Sequence, residues 1–197
     1  MLLLAKMKEC FRKYILDTVE HPREEEVEEI LSIFSEKKFK KGDLFKKRDH
    51  RMNELGFLIN GSSRSLMINN KGEEITGQIC QSNDFLSEII SVRTKDKSPI
   101  IIEFLEQSEV LTAVMKDVKR LLQHNLTFNI VIREHMADRI HQVAIRQTRF
   151  LTGTAKERYI HILQNNPYLL KKFPLRFIAT MIGITPTQLS RIRNEKI

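Results

Sequence analysis

Between Val114 and Thr152-Gly153 the sequence carries no strong turn signal, and from about 125 to 150 apolar residues recur every three or four positions. Phe128, Ile132, Met136, Ile140, Val143 and Phe150 form the stripe, with Gln147 in register and Arg133, Glu134, Asp138, Arg139, Arg146 and Arg149 between its members. That spacing predicts one amphipathic helix over 125–151, about 37 Å long at ~1.5 Å per residue. So long a helix projects past a small domain, and its stripe needs cover from the rest of the chain or from the same helix of a second copy. Self-association is the reading adopted, with Phe128, Ile132, Met136, Ile140, Val143 and Phe150 as the interface. The helix also divides the chain into 1–124 before it and 152–197 after it.

Ahead of the helix the period changes. From about 37 to 114, short apolar runs alternate with turn signals at Gly42-Asp43, Asn60-Gly61, Asn70-Lys71-Gly72, Asn83-Asp84 and Asp96-Lys97-Ser98-Pro99. The runs at 55–59, 64–68, 74–79, 100–105 and 110–114 predict strands, and Asn-Gly hairpins at close spacing predict an antiparallel sandwich or jelly roll. Two helices precede it, at 5–16 and 22–35. The second opens with Pro22 and Glu24-Glu25-Glu26, which suit a first turn, and buries Val27, Ile30, Leu31 and Phe34. The fold class is α+β: an N-terminal antiparallel β jelly roll, a long helix and a helical end.

Charge separates the two ends. Residues 1–132 hold 21 Lys+Arg and 21 Asp+Glu, whereas residues 133–197 hold 12 and 4, so the whole net charge of +8 lies in the last third. A neutral body with a basic end is the footprint of a protein that meets a polyanion, though surface cations also serve solubility. Cys10 and Cys80 are too few and too far apart for a zinc ribbon, a cysteine-ligated cluster or a disulfide scaffold, and a reducing cytosol fits them. Leu2-Leu3-Leu4 is broken at Lys6 and Lys8, too short for a signal-peptide core, and no apolar run approaches a membrane span. The location expected is cytoplasmic, with no membrane partner.

The helical end holds the most specific pattern. A helix from about Thr154 to Gln164 breaks at Asn165-Asn166-Pro167. After Pro174 come Leu175–Ile182, then Gly183-Ile184-Thr185, then Pro186–Glu195. Ala179 is small where a second helix crosses the first, Gly183 can take the left-handed turn, Thr185 can cap the second helix and Pro186 suits its first turn. Ile178, Ile182, Ile184, Leu189 and Ile192 would form the small core. That leaves a polar, acid-free face as expected of a helix-turn-helix, in which Thr187, Gln188 and Arg191 are the candidate base readers. Arg matches the guanine O6/N7 edge and Gln the adenine N6/N7 edge. Thr185, Ser190 and Arg193 are candidates for positioning phosphates. A three-helix packing module with a solvated face has the same outline.

The order of roll, long helix and terminal helix-turn-helix resembles the Crp/Fnr family of bacterial transcription regulators over nearly the whole chain. Phe39-Lys40-Lys41-Gly42-Asp43, Phe57-Leu58-Ile59-Asn60-Gly61, Asn83-Asp84-Phe85-Leu86-Ser87-Glu88 and Ile184 through Arg193 carry the likeness. The resemblance implies a cyclic-nucleotide-binding-like roll at 1–124, a dimerisation helix at 125–151, a DNA-binding domain at 152–197, a homodimer on pseudo-palindromic double-stranded DNA, and RNA polymerase as a partner. In the family's cyclic-nucleotide binders Phe-x-Gly-Glu is followed by Arg-Ser or Arg-Thr, where this chain has Phe85-Leu86-Ser87-Glu88 and Lys97-Ser98. Ser removes the close backbone approach and Lys lacks the guanidinium fork. Val143-Ala144 stand where the cyclic-AMP binders present Thr-Ser, so cyclic AMP is not the expected ligand. Ser87, Glu88, Lys97 and Ser98 remain candidates for another small anionic effector, against the alternative of an empty or structurally filled roll.

Many relatives continue into a wing; this sequence stops at Ile197 and reads as a short-ended form. The family's iron–sulfur members need a cysteine cluster that this sequence lacks. His50, His135 and His141 are scattered, so no metal and no cofactor is expected. No nucleophile, base and oxyanion site converge, and an enzyme is not expected. The rival to a regulator is an interaction protein that docks a partner on the roll without reading DNA.

Overall fold

Met7, Phe11 and Ile15 recur at four-residue spacing, which places them on one face of a helix, and all three are buried to 1% exposure or less. In the computed structural model, which describes residues 2–195 apart from the side chains of Leu2, Ile89, Ile90 and Ser91, this helix is α1 (Leu2–Thr18). Ile197 lies outside the described residues. Helix α2 (Glu24–Ser32) is shorter than the sequence suggests. Pro22 precedes it rather than opening it, because extended Arg23 is the N-cap and the three acids fill the first turn. Phe34 has left the helix, and its ring meets Phe11 edge-on with centroids 5.0 Å apart.

Among the described residues eight strands follow: β1 (Ser35–Phe39), β2 (Leu44–Lys46), β3 (Glu54–Asn60), β4 (Ser62–Ile68), β5 (Glu74–Gln81), β6 (Phe85–Leu86), β7 (Ile101–Phe104) and β8 (Ser108–Val114). They form two four-stranded sheets, ordered β1-β8-β3-β6 and β2-β7-β4-β5. The five expected runs are all strands. The three others are short or charged: β1 reads Ser-Glu-Lys-Lys-Phe and lies at a sheet edge, paired with β8 from Ser35↔Thr112 to Phe39↔Ser108. Charge on an edge strand discourages pairing with other chains and hides the strand from a hydrophobic pattern.

Successive strand residues point to opposite faces, and here both faces are buried. Phe57, Phe85 and Leu111 face a cluster built with α1 and α2, in which Phe57 stacks on Phe11 at 4.3 Å. Their neighbours Leu58, Leu86 and Val110 turn the other way, toward Cys80 and Phe104, where Phe39 stacks on Phe104 at 4.2 Å. Two further helices have no counterpart in the sequence pattern, α3 (Ile89–Thr94) and α4 (Met115–Leu121); Val118 and Leu121 of α4 complete the first cluster.

The long helix is α5 (Leu126–Thr152), 27 residues without a break. Its start is tied to α2. The Asn125 side chain accepts from the Phe128 N–H at 2.8 Å and donates to the Glu26 carbonyl and the Glu29 carboxylate, both at 3.0 Å. The Glu26 carboxylate accepts from the Leu126 and Thr127 N–H groups at 3.3 and 3.2 Å, satisfying donors that a helix start leaves open. Burial would raise the Glu26 pKa, but hydrogen bonds from Thr127, Arg23 and Leu126 outweigh it and hold the carboxyl below its ordinary range.

By internal contact the chain forms two units, residues 1–65 with 79–137, and residues 66–78 with 138–197. The tip of the β4–β5 hairpin thus belongs with the second half of α5 and the helical end.

Candidate nucleic-acid interface

Thr154 stops α5 from continuing by capping the next helix. Its hydroxyl accepts from the Glu157 N–H at 3.2 Å while Glu157 accepts from the Thr154 N–H at 2.7 Å, a reciprocal box that starts α6 (Ala155–Asn165). Pro167 then opens α7 (Pro167–Lys172), a helix within the stretch that reads from sequence as a break. Pro174 leads into α8 (Leu175–Met181), and the corner to α9 (Pro186–Asn194) follows.

That corner closes as its residue types require. The Ile184 N–H donates to the Ala179 carbonyl at 3.0 Å and the Gly183 N–H to the Thr180 carbonyl at 3.1 Å, with Gly183 at φ 70°. This paired closure needs a left-handed residue, which Gly takes without strain. A Cβ at Gly183 would also lie 2.4 Å from Cε1 of Phe150. Arg158 fastens the corner, donating from Nε to the Ile182 carbonyl at 2.9 Å and from Nη1 to the Gly153 carbonyl at 2.8 Å, with its guanidinium 4.9 Å from the centre of the Phe150 ring.

Thr185 caps α9 in a second reciprocal box with Gln188: the Gln188 N–H donates to the Thr185 hydroxyl at 3.1 Å, and the Thr185 N–H to Gln188 Oε1 at 2.9 Å. Ile178, Ala179, Ile182, Ile184, Leu189 and Ile192 are all buried. With Leu189 and Ile192 turned in, Thr185, Thr187, Gln188, Ser190, Arg191 and Arg193 are all exposed, so the six nucleic-acid candidates lie together on the solvent side of one capped helix. Gln188 has a role beyond the one its sequence position suggests, since its oxygen is engaged in the cap, and the bidentate contact with adenine expected from sequence requires that same oxygen.

Strand β5 reaches this end through three consecutive residues. The Thr76 N–H donates to the Thr180 hydroxyl of α8 at 3.1 Å, and that hydroxyl donates in turn to the Phe177 carbonyl at 3.1 Å. Arg146 donates to the Gly77 carbonyl. Burial, with Arg139 nearby, pulls the Arg146 pKa down. The Gln78 amide, with its oxygen toward Arg139, accepts from Arg139 Nε at 3.2 Å. Nothing local in the sequence signals these contacts, which join residues 61 to 104 positions apart.

The stripe on α5 does not behave as one surface. Phe128, placed in the interface from sequence, is fully buried in the first core cluster and meets Phe34 at 6.5 Å, so it faces its own fold. The reason is the anchoring of the helix start on α2. Ile132 and Met136 are half-buried. Ile140, Val143 and Phe150 are exposed by 65%, 48% and 42%, and Leu151 by 78%. His135 packs edge-on against Phe85 at 5.0 Å.

Among solved structures the chain matches the c-di-GMP responsive global regulator CLP of Xanthomonas campestris at TM-score 0.68 and 14% identity, over 86% of this chain and 89% of that one. It matches FixK2 of Bradyrhizobium japonicum at 0.69 and 14%, over 83% and 84%, and a CooA variant from Carboxydothermus hydrogenoformans at 0.68 and 15%, over 84% and 77%. The chain has the Crp/Fnr fold. No protein-family model and no curated protein matches it by sequence.

Within that fold the effector candidates divide. Glu88 and Ser98 are buried at 3% and 0% exposure, whereas Ser87 and Lys97 face solvent. The Ser98 hydroxyl accepts from the Ile100 N–H at 3.2 Å. One buried cation is Lys46, 3% exposed, whose ammonium donates to the carbonyls of Ile100 at 2.6 Å and Ser98 at 3.1 Å. Burial lowers its pKa, opposed by Glu88 and Asp49. In sequence Lys46 is one of several cations at 40–48, with nothing to mark it as buried. Arg64, also buried, pairs with Glu103 at 2.7 Å. Among the described residues no group of three or more His, Cys, Asp or Glu side chains could hold a metal, and no helix is long and apolar enough to cross a membrane.

Proposed function

We propose that this chain is a sequence-specific DNA-binding transcription regulator that acts as a homodimer. The observation that carries the reading is the capped helix α9, buried through Leu189 and Ile192 and presenting six polar residues to solvent behind a closed Gly183 corner. Such a helix fits the major groove with its first turns toward the base edges. Thr187, Gln188 and Arg191 are the proposed readers, and Thr185, Ser190 and Arg193 the phosphate contacts. Residues 1–124 serve as the sensor region, 125–151 as the dimerisation helix and 152–197 as the DNA-binding region.

The dimer rests on Ile140, Val143 and Phe150, the exposed part of the stripe, with Ile132 and Met136 at its edge. Two equal recognition helices then select a pseudo-palindrome. RNA polymerase is the partner expected of a regulator of this kind. The effector differs from cyclic AMP, since Val143-Ala144 offer no hydroxyl and Ser87 stands in the place of glycine. The polar groups an anionic effector would meet are Glu88 and Ser98 inside the roll and Ser87 and Lys97 at its surface.

Selection from a random duplex library at near-physiological salt tests the reading. The full chain enriches an inverted repeat and Arg191→Ala loses the preference, since one good bidentate contact carries about 1–3 kcal/mol of discrimination. No enrichment, either alone or with a small-molecule extract added, refutes it in favour of an interaction protein.

A further inference from the structure

From Arg158 to Asn194 the sequence has six Lys and Arg residues and no Asp or Glu. The structure sorts the cations of the helical end into two kinds. Arg158 is turned onto the carbonyls of Ile182 and Gly153, and Lys156 onto Glu195 at 3.0 Å. These fasten the fold. Arg191 and Arg193 are exposed on α9, where the proposed function uses them. Lys171, Lys172 and Arg176 are exposed around the corner between α7 and α8 and are distinct from the six candidates on α9 and its N-cap.

This second group is ordered in advance. Lys172 lies over the ring of Phe173 at 5.5 Å and Arg176 over that of Phe177 at 5.1 Å, and both rings are themselves buried, at 7% and 8% exposure. Pro174 separates the two pairs and restricts the backbone between them. Cations laid over aromatic faces keep their stems on apolar surface and their heads in water, so less side-chain freedom is lost when an anion arrives. Arg176 also occupies the first turn of α8, the first helix of the helix-turn-helix. When the second helix lies in the major groove, the first crosses the phosphate backbone beside it.

We propose that Lys171, Lys172 and Arg176 form a second phosphate-binding cluster that grips the DNA backbone flanking the groove entered by α9. The inference rests on the DNA-binding reading of α9 and extends it to α7. The cluster sets register and affinity and does not read sequence.

The experiment compares the full chain with the triple variant Lys171→Ala, Lys172→Ala, Arg176→Ala and with Arg191→Ala. Each is titrated by fluorescence anisotropy against the selected repeat and a random duplex of equal length, over about 50 to 200 mM salt. The triple variant weakens binding to both duplexes by the same factor, and its slope of log K against log salt is shallower by about 0.9 for each phosphate no longer neutralised. Arg191→Ala instead narrows the gap between the two duplexes. Arg176→Lys keeps the slope to within about 0.9 of the parent's. If the triple variant loses its helical circular dichroism, Lys171→Gln with Lys172→Gln repeats the measurement on two exposed side chains. An unchanged slope, or a weakening confined to the selected repeat, overturns the cluster. If the parent prefers no sequence, the reading of α9 fails, while the slope on random duplex still decides the cluster.

Discussion

Gly183→Ala separates two causes that usually act together. Gly183 sits at φ 70° and Gly72, in the hairpin of the same unit, at φ 80°. Placing a Cβ in that backbone region costs about 1–2 kcal/mol at either position. Around Gly72 an added Cβ meets nothing within 4 Å, whereas at Gly183 it would lie 2.4 Å from Cε1 and 3.1 Å from Cζ of Phe150. Carbon atoms rest about 3.5–4.0 Å apart, so the ring must move by roughly 1 Å. Moving it withdraws the face on which Arg158 rests, an interaction worth about 0.5–1 kcal/mol at a partly exposed site. Gly72→Ala is therefore expected to destabilise its segment by about 1–2 kcal/mol and Gly183→Ala by about 1.5–3 kcal/mol. Native-state hydrogen exchange reads the two segments separately and needs no assumption of one unfolding transition. Adding Phe150→Ala to Gly183→Ala isolates the steric part, and the cycle should recover about 1 kcal/mol. Equal destabilisation at the two glycines, or no recovery in the cycle, would refute the account of the corner.

Single side chains make further outcomes measurable. Leu189→Ala, at a site with 0% exposure, should destabilise the helical end by about 2–5 kcal/mol and abolish any DNA binding, read by circular dichroism and anisotropy. Thr180→Val keeps shape but leaves the Thr76 N–H without its acceptor; a cost of about 1–3 kcal/mol should appear as faster exchange of that amide, and unchanged exchange would refute the hydrogen bond. Acidification should loosen the start of α5. Burial at Glu26 is outweighed by hydrogen bonds from Thr127, Arg23 and Leu126, and hydrogen bonds from Asn125 and His124 act on Glu29, so both carboxyls are held below their unfolded values. Their stabilisation is therefore full above the ordinary carboxylate range and is lost as pH falls through the folded pKa. Glu26→Gln should flatten that pH dependence in exchange at Leu126 and Thr127.

Local devices are legible in the sequence and long-range ones are not. The helix expected at 125–151 is Leu126–Thr152, because its length and ends are set by its own spacing and by Thr152-Gly153. The corner at Gly183 and the cap at Thr185 are equally plain, since each is settled within six residues. Thr185 and Gln188 at a separation of three also spell a capping box, a signal that the assignment of Gln188 to bases passes over. Periodicity names a face without saying what covers it, which is why the stripe places Phe128 on a partner while the structure places it in the core. Strand β1 leaves little trace in the pattern because an edge strand needs little apolar surface. The burial of Lys46 and the grip of β5 on α8 and α5 depend on residues tens of positions away.

Strand β5 ends its sheet, and two of its backbone groups are capped, the Thr76 N–H by Thr180 of α8 and the Gly77 carbonyl by Arg146 of α5. An uncapped edge is a template for another chain. Cutting the chain at 152 removes Thr180 and bares the Thr76 N–H, while Arg146 and every strand remain. A sensor fragment prepared this way should express as a folded roll that sticks to itself, and extending it through α8 should restore solubility before any DNA-binding surface is complete. Thr180, on the first helix of the corner, is thus also part of what covers the free edge of the β4–β5 hairpin.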